Sequence, residues 1–232
     1  MAAIAALVIG ARMRPGPWIT PAARALALLI VANEIGWWVW QASHHALNLA
    51  GDLPLFPCDV AGFAAALALW MRAQMLVEMT WFWGIAGTVN GVISPDIGDH
   101  FPSYPYFQYF IQHGAIPAAA FFLVLGLRIY PRPWSALRAL GMAVALVAID
   151  AVVNLWTGGN YMFLRSAPPG TNLLELFGPW PWYVAGGTAL AVIFFAALEL
   201  PFRISDLVRA RSKTSPYPRS ASRPSPLPPP GR

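Results

Sequence analysis

The chain has 232 residues, of which 57% are hydrophobic and only 11% are charged, and its net charge is +5. Soluble domains carry about a quarter charged residues, so this composition excludes an ordinary soluble protein and indicates an integral membrane protein. The apolar runs are continuous and do not alternate with a period of two, which excludes a transmembrane β-barrel. The basic residues lie in loops and in the tail, so they do not form a nucleic-acid-binding patch.

The first 20 residues are interpreted as a lead-in to the membrane domain. Met1–Gly10 is apolar but too short to cross a bilayer. It also lacks the preceding basic region and the cleavage site of a signal peptide. The segment is either part of a further, seventh helix or an interfacial element.

Six apolar segments follow within a predicted transmembrane domain of residues 21–203. Continuous apolar stretches of about 20 residues are long enough to cross the bilayer core as helices. The predicted helices are Pro21–Ala42, Pro57–Met71, Val77–Ser94, Tyr104–Leu127, Ser135–Trp156 and Trp180–Leu200. The second is short and needs the preceding Leu53–Phe56 to approach a full crossing. The predicted fold is therefore all-α, a polytopic bundle of six transmembrane helices.

Residues 204–232 are predicted to form a disordered tail, because a basic Pro/Ser-rich sequence cannot bury a core. The loops also predict an orientation. Of the 15 Lys and Arg residues, only Arg165 falls on the side opposite to the others. The positive-inside rule makes the basic side cytoplasmic, which predicts a multi-pass protein of the cell membrane. Both termini are inside if there are six spans, and only the N-terminus is outside if there is a seventh.

This orientation places most polar residues of the helices in the outer half of the bundle, which predicts a polar cavity there. They are Glu34, His44, His45, Cys58, Asp59, Asn90, Ser94, Gln108, Gln112, His113, Asp150 and Asn154. The inner halves are predicted to hold almost no polar groups. Ionisable side chains within membrane spans are costly, so Glu34, His113 and Asp150 are functional candidates. The alternative for each is a structural hydrogen bond, including one from the Asp150–Asn154 pair between helices.

Cys58 is the only cysteine of the chain and directly follows Pro57. Proline suits the first turn of a helix, which places the thiol at the positive end of the helix dipole. That position favours the nucleophilic thiolate, whereas the negative charge of Asp59 opposes it. A nearby histidine such as His113 could take the thiol proton, but the spacing leaves open whether the two meet. The alternative is a small hydrophobic residue that fills a gap.

Gly84, Gly87 and Gly91 are interpreted as packing positions that let another helix approach closely. Most tryptophans are typical of a membrane-interface belt. The outer ones, Trp180 and Trp182, could also line a path for acyl chains.

Five ordered motifs resemble a known family. They are LPLFPCD, WFWGIAGTVNGVISPD, FPSYPYFQYFIQHGAI, NYMFLRSAPP and GPWPWY, within residues 34–183. Together they resemble the YwaF-type bacterial integral membrane proteins, which are related to the animal transmembrane protein 164 group. The resemblance implies an acyltransferase that moves a fatty acyl group between phospholipids through a cysteine acyl-enzyme, with Cys58 as nucleophile and His113 as its partner. The family commonly has a histidine at the position of Phe56 and a leucine at that of Pro57, so the chain departs from the pattern there.

The predicted function is a lipid acyltransferase or lipid-acyl hydrolase that uses Cys58 and His113. The partner is a membrane phospholipid or other acyl lipid. No metal or cofactor is expected, because only His113 of the four histidines lies within a span and paired haem ligands are not evident. The alternative function is a non-enzymatic carrier or binding protein for a small solute. Candidate substrate-binding residues are Asn90, Gln112, Asp150, Asn154, Tyr161, Trp180 and Trp182.

Overall fold

The computed structural model describes residues 2–45, 47–93, 100–168 and 173–213, without the side chains of residues 89, 90, 93, 173 and 211–213. The predicted side-chain role of Asn90, the expected end of the third span at Ser94, and tail residues 214–232 therefore lie outside the described residues. Within these ranges the fold is helical, as predicted, and no strand is present.

The helices are numbered α1 to α8 in chain order. Their bounds are Ala2–Met13 (α1), Ile19–His44 (α2), Pro57–Met71 (α3), Gln74–Ala86 (α4), Thr88–Ile93 (α5), Tyr104–Phe121 (α6), Ser135–Thr157 (α7) and Trp182–Lys213 (α8). A π-helical turn, Phe122–Gly126, extends α6, and two short 3-10 turns, Tyr161–Phe163 and Leu173–Phe177, lie between α7 and α8.

Four segments are long and apolar enough to cross a membrane. They are α2, α6 with its π-helical extension, α7 and the Trp182–Ala210 part of α8. The 15-residue α3 and the 13-residue α4 are shorter than this. The structure therefore shows several membrane-spanning helices, and the count of six stays a prediction.

Two predicted segments differ from the observed helices by more than two residues. The predicted helix Val77–Ser94 begins three residues earlier, at Gln74, and divides at Gly87 into α4 and α5. The hydroxyl of Thr88 donates to the carbonyl of Gly84 across this division. At the other end of the chain, α8 continues past the expected end at Leu200 to Lys213, so residues 204–213 of the predicted tail are helical.

The core forms around α3, which packs against α2, α4 and α6. Small residues make this packing close: Ala61, Ala65 and Ala68 are completely or almost completely buried. Small side chains let helix backbones approach, which is the main source of packing contact inside a membrane. The N-terminal α1 packs on the π-helical turn, where Ala11 faces Gly126.

A cluster of polar side chains surrounds Glu78 near the start of α4. This part of the bundle was predicted to hold almost no polar groups, and that prediction was wrong. The Glu78 side chain is completely buried. Arg132 contacts its carboxylate at 2.9 Å and Arg138 also contacts it at 2.9 Å, while Gln74 donates to it at 3.3 Å. The hydrogen bonds and charge of Glu78 raise the pKa of the Arg132 guanidinium. Two arginines expected in cytoplasmic loops therefore join α4 to the start of α7.

Candidate functional site

Cys58 lies in the first turn of α3, where the chain turns from a loop into a helix. Phe56 has an extended backbone with φ −65° and ψ 148°, and Pro57 starts the helix. The carboxylate of Asp59 folds back on this turn: Oδ2 accepts a hydrogen bond from the Phe56 backbone N–H at 3.1 Å. This bond satisfies one of the N–H groups that a helix start leaves without a partner inside the helix.

The other carboxylate oxygen of Asp59, Oδ1, contacts the thiol of Cys58. The Sγ atom of Cys58 lies 3.4 Å from Oδ1 of Asp59 and donates to it. Sulfur is larger than oxygen, so this distance is a hydrogen bond for a thiol. Asp59 thus holds the helix start through one oxygen and the only thiol of the chain through the other.

Phe56, two residues before Cys58, packs into an aromatic cluster. Its ring centroid lies 5.4 Å from that of Tyr161 and 5.9 Å from that of Phe163. These separations are typical of favourable aromatic pairs. In this chain the position therefore joins the start of α3 to the loop between α7 and α8.

Tyr161 is the centre of this junction and is completely buried. Its hydroxyl donates to the Leu49 carbonyl at 2.8 Å and accepts from the Leu53 N–H at 2.9 Å. Burial raises the pKa of Tyr161, so the hydroxyl keeps the hydrogen that it donates. The loop before α3 is thereby fixed to the loop after α7.

Asn154 holds the backbone of Tyr161 in place. Its Oδ1 accepts from the Tyr161 N–H at 2.7 Å, and its Nδ2 donates to the Tyr161 carbonyl at 3.0 Å. Asn154 thus positions the backbone of Tyr161, and this contact uses one of the two N–H donors of the Asn154 side-chain amide. The next residues, Met162 and Phe163, have positive φ values of 53° and 55°. Such backbone is costly for residues other than glycine, so the surrounding contacts must maintain it.

The loop is also tied to the start of α8. The indole N–H of Trp180 donates to the Leu164 carbonyl at 3.0 Å, and the Tyr183 hydroxyl donates to the Phe163 carbonyl at 2.6 Å. Trp180 and Trp182 otherwise remain largely exposed, 61% and 66%. Three of the five motifs, LPLFPCD, NYMFLR and GPWPWY, therefore meet at one end of the bundle.

Asp150 lies one helical turn before Asn154 on α7. Its side chain is completely buried, and neither carboxylate oxygen has a hydrogen-bond partner among the described residues. Together with Asp52 and Asp59, Asp150 is near enough to interact electrostatically with the Tyr161 hydroxyl. A buried carboxylate without a donor is rare in native proteins, and it points to a ligand or solvent group that donates to it.

A second polar group joins α2 to α6. Gln112 Nε2 donates to the Glu34 carboxylate at 3.0 Å, and Asn33 donates to Gln112 Oε1 at 3.1 Å. A Cβ at Gly62 would lie 2.6 Å from Gln112 Nε2, so α3 offers the space for this amide. Gly62 lies one helical turn after Cys58, on the same face of α3. The amide of Gln112 therefore lies one turn from the thiol.

His113, the next residue of α6, faces α5. Its ring stacks on Tyr109 with centroids 4.0 Å apart, and its Nδ1 lies 2.9 Å from the Tyr109 carbonyl. A carbonyl only accepts, so Nδ1 carries the hydrogen and Nε2 is left as the acceptor nitrogen. A Cβ at Gly91 would fall 2.9 Å from Nε2, which places α5 directly against this edge of the ring.

The structure thus brings Cys58 to Asp59 and His113 to Tyr109 and Gly91. No hydrogen bond joins Cys58 to His113 in the part of the chain that is described, and their pairing stays a prediction. Gln112, not His113, is the α6 residue found against α3. The sequence missed Asn33, Tyr109 and Gly62 as parts of the site. Gly62 follows Cys58 by four residues, and Tyr109 precedes His113 by four residues. This spacing places each pair on one helix face and could have identified Gly62 and Tyr109.

The glycines of α4 and α5 were interpreted as packing positions, and two of them lie against α6. A Cβ at Gly84 would lie 2.8 Å from Ile116 Cγ2, and one at Gly91 would lie 2.5 Å from His113 Cδ2. Among the described residues, no group of three or more His, Cys, Asp or Glu residues could hold a metal ion.

The apolar helices and this partly polar end define the chain as a multi-pass integral membrane protein. The model of the TMEM164 family matches residues 1–199. The chain therefore belongs to the TMEM164 family, which confirms the resemblance to the transmembrane protein 164 group. Its place among YwaF-type proteins stays a prediction. Neither the comparison with curated proteins nor the comparison with solved structures found a match.

Proposed function

We propose that this protein transfers or hydrolyses acyl groups of membrane lipids through a thioester on Cys58. The observation that carries the proposal is the position of the only thiol. It lies in the first turn of α3, hydrogen-bonded to a carboxylate and one turn from a polar network. Nucleophilic catalysis by cysteine needs a neighbouring base that can take the proton of the thiol. Family membership supports this reaction class through the resemblance described above.

His113 is the proposed proton carrier for the leaving and accepting oxygen atoms. Its Nδ1 is occupied by the Tyr109 carbonyl, so its Nε2 is the nitrogen that can accept and return a proton. The Tyr109 stacking holds the ring in one orientation. For His113 to carry protons in this way, its Nε2 must reach the oxygen atoms at the thioester carbon. Either the bound substrate or a closer approach of α3 to α6 would make this connection.

The lipid substrate is proposed to enter from the bilayer. Apolar side chains of α7 such as Val152 and Leu155 are exposed, at 66% and 84%, which supports contact with lipid along this helix. Gln112 keeps one N–H beyond its bond to Glu34 and is the proposed donor to the carbonyl oxygen. Asp150, Asn154 and Tyr161, with Asn90, Trp180 and Trp182, form the rest of the proposed binding region. We place this region at the outer leaflet, with both termini in the cytoplasm.

The proposal is tested by acyl transfer in proteoliposomes. The purified protein is incubated with a phospholipid that carries an isotopically labelled acyl chain and with a lysophospholipid acceptor. Labelled product lipid and a hydroxylamine-sensitive acyl adduct in the intact mass of the protein are expected. Both should be lost in Cys58→Ala. Product formed equally by Cys58→Ala would overturn the proposal, as would the absence of both product and adduct.

A proton-coupled solute carrier is the second candidate, and the buried, unpartnered carboxylate of Asp150 favours it. Buried carboxylates in a membrane are typical of proton and solute pathways. Proton-linked uptake into liposomes that survives Cys58→Ala but is lost in Asp150→Asn or Glu34→Gln would establish the carrier. Uptake that is identical in all variants and in empty liposomes would exclude it.

A further inference from the structure

We propose that Asp59 is a catalytic residue: it accepts the proton of the Cys58 thiol when sulfur attacks its electrophile. The inference rests on the proposed function for the identity of that electrophile. The proton transfer itself is defined by two side chains of this chain and can be measured without a lipid.

The geometry of α3 fixes the carboxylate for this task. Oδ2 of Asp59 accepts from the Phe56 N–H at 3.1 Å, and the Asp59 N–H bonds to the Phe56 carbonyl at 3.0 Å. Asp59 is therefore held on both its backbone and its side chain. Its second oxygen, Oδ1, then lies 3.4 Å from Sγ, within reach of the thiol hydrogen.

No other group competes for this role in the described part of the chain. No Lys, Arg or His residue there forms an ion pair with Asp59. His113, the other base considered for Cys58, is bonded to Tyr109 and faces Gly91. The carboxylate of Glu34 accepts a hydrogen bond from Gln112 at 3.0 Å.

A separate observation indicates that this region receives a ligand. Asp150 is completely buried and unpartnered, and it lies within electrostatic range of Tyr161, whose ring packs on Phe56. A hydroxyl group of an accepting lipid or water would supply the missing donor. Asp150 thus lacks a hydrogen-bond donor among the described residues, and Tyr161 packs on Phe56 in the turn that precedes the thiol.

The reaction balances without a further reagent. Sγ forms a bond to the acyl carbonyl carbon as the S–H bond breaks and the proton moves to Oδ1 of Asp59. The tetrahedral adduct then expels the alcohol oxygen of the donor lipid, which takes this same proton from Asp59 by way of His113 and leaves a thioester. In the second half the incoming alcohol or water attacks the thioester carbon and gives its proton, by way of His113, back to Asp59. The thiolate that leaves recovers its proton from Asp59.

Alkylation of the full-length protein by N-ethylmaleimide in detergent or liposomes tests this inference. Because Cys58 is the only cysteine, intact mass follows modification of a single site. If Asp59 takes the proton, Asp59→Asn should slow alkylation at neutral pH about tenfold or more, because positioned bases contribute about 10²-fold or more. If Asp59 only adds negative charge beside the thiol, Asp59→Asn should accelerate alkylation. An unchanged or faster rate therefore overturns the inference.

Asp52→Asn is the matched control, because it removes a carboxylate charge from the loop before α3 while its amide oxygen can still accept from the Asn48 N–H. Its alkylation rate should stay near that of the native protein, unlike that of Asp59→Asn. A decrease as large as that of Asp59→Asn would overturn the specific role of Asp59. Asp59→Glu keeps a carboxylate and should recover part of the rate.

Infrared spectroscopy covers the case in which Asp59→Asn does not fold, since Asp59 also caps α3. The native protein has one S–H group, so its S–H stretching band belongs to Cys58 alone. A band shifted to the frequency of a hydrogen-bonded thiol supports the inference, and the frequency of a free thiol overturns it. Neither measurement uses a lipid substrate, so failure of acyl transfer and failure of this inference are separate results.

Discussion

Gly91 lies so close to His113 that a Cβ at residue 91 would fall 2.5 Å from Cδ2 of the imidazole. The Tyr109 hydroxyl also donates to the Gly91 carbonyl at 3.0 Å. The position of the His113 ring thus depends on a glycine in α5 as much as on α6 itself. This relationship supports the proposed function, because a proton carrier must be held in one orientation.

Gly91→Ala should displace the His113 ring and lower lipid acyl transfer by tenfold or more, with a loss of about 1–3 kcal/mol in stability from overpacking. Gly114→Ala is the control, because nothing lies within 4 Å of a Cβ at that neighbouring position. It should keep the activity and unfold at the same or a slightly higher temperature. Equal activities of the two variants would exclude a role for the Gly91–His113 contact.

Tyr161→Phe removes the hydroxyl that joins the Leu49 carbonyl to the Leu53 N–H. Because two backbone groups lose a partner in a loop where Leu49 is exposed and Leu53 is half-buried, thermal unfolding in detergent should show a loss of about 0.5–1.5 kcal/mol. Tyr106→Phe, in contrast, deletes a hydroxyl for which the described residues offer no hydrogen bond, and should be neutral. Hydrogen exchange should also increase in residues 47–56 of Tyr161→Phe alone. If exchange there is unchanged, Tyr161 does not hold this loop.

Glu78→Gln should destabilise the protein by about 1–3 kcal/mol, because it replaces the charge-assisted hydrogen bonds of the buried carboxylate to Arg132 and Arg138 by weaker neutral ones. The same change at the exposed Glu175 should have little effect on unfolding. Cys58 alkylation should remain near the native rate in folded Glu78→Gln, since Glu78 lies at the other end of the bundle. A neutral Glu78→Gln variant would show that the cluster contributes little to stability.

The Glu34–Gln112 contact should appear as coupling in a double-mutant cycle. Gln112→Leu and Glu34→Leu each leave the other polar group buried without this partner, at a cost of about 1–3 kcal/mol. The double variant removes both polar groups at once and should be less destabilised than the sum of the single variants. Thermal unfolding of the four proteins measures the difference. Strict additivity would mean that the hydrogen bond is not formed in the membrane.

Several helix bounds could be predicted from local sequence alone. Pro57 begins α3 and Ser135 begins α7, as predicted, because helix starts are encoded by the residues of the first turn. The composition likewise required a membrane fold, since so few charged residues cannot cover a soluble surface. The division at Gly87 was not predicted, because the apolar segment after Glu78 continues from α4 into α5 without a charged residue, and both helices pack on α6.

The amino-acid sequence alone establishes the class of protein, its helical architecture and the family to which it belongs. It also singles out Cys58, because one thiol at a helix start is visible without coordinates. The contact of this thiol with Asp59 is local to one helix turn, whereas long-range packing sets which residues of α6 lie near that turn. Gln112 and His113 are adjacent in sequence, yet one contacts Gly62 and the other Gly91. The rotation of α6 between α3 and α5 separates them, and long-range packing sets that rotation. Likewise, the partners of Glu78 are Arg132 and Arg138, which follow it in the sequence by 54 and 60 residues. Local sequence carries no signal over such a separation.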